Sequence, residues 1–132
     1  MAENKVISLK ELIQNKVKYE RKNGGELVKL HLDRLGGEII IETPSKEFCL
    51  DVMDMTRDDE TAKNADAYMV YSMITEPNLK DKELQEAYDC VEPTDIVEKI
   101  FTLGEIGYIV NKGFESAGFD KGSVSVVEEV KN

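Results

Sequence analysis

Asp51, Asp54 and Asp58 stand at i, i+3 and i+7, and Asp59 and Glu60 follow directly. On a helix this spacing lines three carboxylates along one side, the kind of oxygen-rich row that a hard cation takes. Calcium loops, however, set alternate oxygen ligands around a glycine, and no D-x-D-x-D-G pattern occurs. The row therefore reads as a solvated acidic face. Zinc requires Cys and His at short, regular spacing, and one histidine (His31) with two distant cysteines (Cys49 and Cys90) does not supply it.

A nucleophile needs a base within reach, and the partners need not be adjacent in sequence. His31 with Cys49 or Cys90 is thus the one Cys–His combination on offer. The alternation around His31 puts it on the polar side of a strand, and no family-type surround accompanies either cysteine. A surface histidine and two reduced, buried thiols are the reading. Acid pairs are unspecific among 27 carboxylates. The Gly-Gly steps at 24–25 and 36–37 match neither G-x-x-x-x-G-K-[ST] nor G-x-G-x-x-G. No catalytic, cofactor-binding or metal-ligating residue is assigned, and a non-enzyme is expected.

The elements that carry these residues follow from periodicity. Ser8 and Glu11 have capping-box spacing, and Leu9, Leu12, Ile13 and Val17 repeat at helical spacing, which predicts a helix to about residue 20. In residues 26–42 the period changes to two: Val28, Leu30 and Leu32 alternate with Lys29, His31 and Asp33. Gly36-Gly37 then turns the chain into a returning "EIIIE" strand, making a β-hairpin. Thr43 and Pro44 suit an N-cap and first helical position. Phe48, Val52 and Met55 mark the helix that follows, and "TRDDETAKN" reads as a polar connection. Tyr68, Tyr71 and Ile74 mark another helix, which stops before Pro77.

Residues 76–118 read as three short helices with sharp corners. Asp81 caps the first, whose face is Leu84, Ala87, Tyr88 and Val91, and Pro93 blocks it. Thr94 or Asp95 caps the second, with Ile96, Ile100 and Leu103 on one face. Thr102 and Glu105 form a T-x-x-E box for the third, which stops at Gly118. The expectation is an α+β fold, mainly helical, with one hairpin packed on five or six short helices. Residues 1–121 form a single globular domain and 122–132 a tail. In that tail Val124 and Val126 alternate like a strand, while Val126, Val127 and Val130 fit a helix, and both readings stay open.

With 132 residues, 41% apolar and 33% charged, the chain suits one globular domain. No apolar run approaches the roughly 20 residues of a membrane helix. The first residues, "MAENKVISLKEL", have no signal-peptide core, so a cytoplasmic protein is expected. A net charge of −10 argues against nucleic-acid binding. The charge is uneven: residues 1–34 hold eight Lys/Arg against five Asp/Glu, a net of +3, which leaves −13 for residues 35–132. This asymmetry and the hairpin edges leave self-association open. It equally fits two segments lying side by side in one fold.

The stretch "EPNLKDKELQEAYDCVEPTDIVEKIFTLGEI" resembles the XkdN-like family of phage tail assembly chaperones, and the likeness extends to "NADAYMVYSMI", "SLKELI" and "SVSVVEEVKN". It implies a non-catalytic helper of tail assembly in a phage, prophage or phage-tail-like bacteriocin. The partners it implies are the tape measure protein and the tail tube protein, and it implies absence from the finished particle. It brings no catalytic residues. A structural subunit or adaptor retained in the particle is the alternative. Val124, Val126, Val127 and Val130 are the candidate partner-binding residues, able to add as a strand to an exposed sheet edge. A tail folded onto its own core is the competing reading.

Overall fold

Alternation over Val28–Leu32 underlies β1 (Leu27–Leu32), which pairs antiparallel with β2 (Gly37–Glu42) in the computed structural model, which describes residues 5–119, 124–128 and 130. Leu30 lies opposite Ile39 and Val28 opposite Ile41. Leu30, Leu32, Ile39 and Ile41 are buried on one face, while Lys29, His31 and Glu38 point to solvent on the other. The turn closes with the Gly36 amide donating to the Leu32 carbonyl at 2.9 Å. Of the Gly36-Gly37 pair only Gly36 takes a positive φ, +64°; Gly37 already belongs to β2.

A third strand joins this pair. α3 (Lys46–Met55) and α4 (Asp59–Met73) follow the hairpin, and α4 then runs straight into β3 (Ile74–Glu76). β3 lies antiparallel to β2, with Ile41 opposite Ile74 and Ile40 opposite Glu76, so the sheet order is β1-β2-β3. The helix expected to run until just before Pro77 therefore ends three residues early, at Met73. Its next three residues extend because β2 offers an open ladder there, and the Thr75 hydroxyl also donates to the Ile40 carbonyl at 3.2 Å.

The remaining helices are α1 (Leu9–Gln14), α2 (Lys16–Tyr19), α5 (Lys82–Ala87), α6 (Asp95–Ile100) and α7 (Leu103–Ser116). The expected α+β class holds, with seven helices among the described residues. The added helix arises at Asn15, whose φ of −108° breaks the first predicted helix in two. Three further boundaries differ from expectation. Ser45, not Thr43, caps α3, accepting the Phe48 amide at 3.1 Å. α4 starts inside the expected polar connection, capped by Asp58. α5 ends at Ala87, so Val91 leaves the helical face assigned to it and is 89% exposed.

The core lies between the buried sheet face and α3, α4, α6 and α7. Ala65, Met69, Val70 and Met73 of α4 are at its centre, with Ile96 and Val97 of α6 and Ile106, Ile109 and Val110 of α7 around them. Each of the Met, Val and Ile side chains among them contributes about 1.5–3 kcal/mol on burial. Gly113 permits close contact between α7 and α4: a Cβ there would collide with Met73 Sδ and lie 2.9 Å from Met69 Cε. No helix among the described residues is long and apolar enough to cross a membrane.

Candidate partner-binding surface

The chemistry-bearing side chains are spread across this fold with structural tasks. Cys49 is fully buried in α3, and desolvation pushes its thiol up from the ordinary range, which disfavours the nucleophilic thiolate. Cys90 is half-buried against the core. His31 faces solvent from β1, with Nε2 3.3 Å from an Asp33 carboxylate oxygen. A buried thiol and an outward imidazole do not make a nucleophile–base pair.

The acidic row is divided as well. Asp51 and Asp54 are exposed on α3, and Asp54 pairs with Arg57 at 3.1 Å. Asp58 is used as a cap, its carboxylate accepting the Glu60 amide at 3.0 Å. Among the described residues no three His, Cys, Asp or Glu side chains are grouped to hold a metal ion.

What the surface does present is apolar. Val124, Val126, Val127 and Val130 are 85, 83, 70 and 83% exposed and have no regular secondary structure. Neither the strand nor the helix open to them in sequence is formed, and these four side chains do not join the core. At the other end Val6, Leu9, Ile13 and Val17 are equally open. Sequence periodicity marks α1 as amphipathic but does not reveal that its apolar side is uncovered; the excess of Lys and Arg nearby is the one signal of it. β1 and β3 are the sheet's edges.

Two surface hollows of about 400 and 410 Å³ adjoin the sheet. The first lies between Asn23–Gly25, Thr43–Ser45 and the end of α4. It borders Thr43, a buried residue whose hydroxyl has no partner. The second lies between the end of β1 and the first turns of α7, beside Arg34 and Glu105. Arg34 holds Glu105 through two hydrogen bonds, which keep that carboxyl below its usual range.

The described residues thus combine a three-stranded sheet backed by helices with exposed apolar side chains toward both ends of the chain. The profile of the phage XkdN-like tail assembly chaperone proteins matches residues 10–131, and the chain belongs to that family. Two relatives come from Bacillus subtilis strain 168. The uncharacterized protein YqbN is 37% identical over 57 residues, 42% of this chain and 38% of its own. The phage-like element PBSX protein XkdN is 29% identical over 76 residues, 53% of this chain and 51% of its own. The chain thus aligns with about half or less of the length of these relatives. The crystal structure of YqbN shares the fold, with a TM-score of 0.54 at 22% identity, covering 88% of this chain and all of that one.

Proposed function

We propose that the protein is a non-catalytic tail assembly chaperone that acts in the bacterial cytoplasm while a phage, prophage or bacteriocin tail is built. It binds the tape measure protein, the tail tube protein or both, and leaves before the particle is complete. The observation that carries this reading is the family match over residues 10–131. The open apolar tail agrees with it. A chaperone for self-assembling subunits must offer apolar surface without aggregating, and the net charge of −10 favours solubility.

In this reading residues 1–121 are the globular unit and 122–132 a docking tail. Val124 and Val126 add as a strand to a partner's sheet edge, with main-chain hydrogen bonds giving affinity and alternate side chains specificity. Val127 and Val130 extend the apolar contact. Capture of the tape measure and tube proteins by the full chain, compared with a chain lacking 122–132, tests this assignment. Loss of capture with an unchanged circular dichroism spectrum is expected. Undiminished capture by the shortened, folded chain discards the tail as the docking element.

A further inference from the structure

Residues 5–22 form an arm that is fixed at its base and unpartnered along its length. At the base, the Asn23 side chain donates to Glu47 Oε1 and accepts the Lys46 amide, both at 2.8 Å. The Gly25 amide donates to the Thr43 carbonyl at 2.9 Å. Gly24 is packed so closely there that a Cβ would lie 2.9 Å from the Thr43 oxygen and the Ser45 nitrogen. Beyond this joint, neither α1 nor α2 contains a buried residue. Leu9, Leu12 and Ile13 nevertheless fall on one side of α1, an amphipathic pattern that normally faces a partner, and Val17, past the break at Asn15, is 92% exposed on α2.

Charge indicates what that partner is. Residues 1–22 carry six Lys/Arg against three Asp/Glu, a net of +3; residues 23–132 carry eleven against twenty-four, a net of −13. The acidic part also presents an apolar prominence of its own. After α5 the chain turns through Asp89, at a φ of +53°, and exposes Val91 and Tyr88 between Glu86, Asp89 and Glu92. An apolar side edged with lysines and an apolar corner edged with acids are complementary, and every copy carries both.

We propose that the arm of one copy docks on the α5–α6 corner of a second copy. The contact is head-to-tail, driven by burial of the arm's apolar side and steered by opposite charge. It stands independently of the chaperone reading and of the tail.

Sedimentation velocity of the full chain over a wide concentration range, at low and high salt, reads this directly. Self-association that weakens with salt is expected. The double variant Ile13→Glu/Val17→Glu removes the arm, and Val91→Glu removes the corner. Each change lies on exposed side chains and should leave the circular dichroism spectrum unchanged. Each variant alone should associate at least about tenfold more weakly. Their mixture should recover a heterodimer, because one intact arm then meets one intact corner. A wild-type chain that stays monomeric overturns the proposal, as do variants that associate like wild type or a mixture that recovers nothing. So does a monomer whose arm instead binds phosphatidylglycerol vesicles, the other surface suited to a basic amphipathic helix.

Discussion

Arg34, in the turn of the hairpin, grips Glu105, in the first turn of α7, with Nη2 2.9 Å from Oε1 and Nε 3.2 Å from Oε2. Glu105 simultaneously accepts the Thr102 amide at 2.9 Å and returns its own amide to the Thr102 hydroxyl at 3.2 Å. A bidentate guanidinium–carboxylate pair thus joins two elements 71 positions apart through a helix cap. The relationship ties the sheet to the helix that completes the core.

This arrangement makes stability depend on pH. The Arg34 hydrogen bonds, then the Thr102 amide, hold the Glu105 carboxyl below its ordinary value. A depressed carboxyl contributes stability that is fully present above its unfolded range and is lost as pH falls through its folded value. Glu105→Gln is therefore expected to be less stable than wild type near neutral pH. The gap should close as pH falls below about 4, where an ordinary glutamate is protonated. Thermal melts of both proteins across that window check it, and a gap independent of pH would count against the pairing.

Gly113 is the position where α7 tolerates no side chain. Methionine ends are normally adaptable, but Met69 and Met73 are enclosed in the core and have little room to move. Gly113→Val should destabilise by about 1–3 kcal/mol through overpacking. Urea unfolding measures it, and a variant as stable as wild type would show that α4 and α7 separate easily.

The two cysteines should differ in reactivity. Cys49 is fully buried with its thiol pushed up, whereas Cys90 is partly accessible. A thiol-specific reagent is expected to label Cys90 first in the native protein and both residues equally in denaturant. Equal native rates would contradict the burial of Cys49. Replacing both by Ser should leave partner capture intact.

These contacts also explain which parts of the molecule are legible in sequence. The hairpin is, because one buried face forces apolar residues to alternate, as Leu30 and Leu32 do. The start of α7 is, because a capping box is a local device of two residues three positions apart, Thr102 and Glu105. β3 is not: Ile74 continues the apolar pattern of α4, and only pairing with β2 makes it extended. Thr43 also misleads, since Thr-Pro suits a helix start, but Ser45 two residues further on takes that task. Periodicity places Val91 in a helix face, yet the chain has already left the helix through Asp89. The apolar sides of the arm and tail are visible in sequence, but periodicity does not say whether a side is covered by the chain's own core.

The chaperone reading is tested most directly by co-expressing the tape measure protein of the same phage element with and without this chain. The account predicts that the chain keeps the tape measure protein soluble, co-purifies with it from the lysate, and is missing by mass spectrometry from completed tails. A tape measure protein indifferent to the chain, or a chain retained stoichiometrically in finished tails, would contradict it.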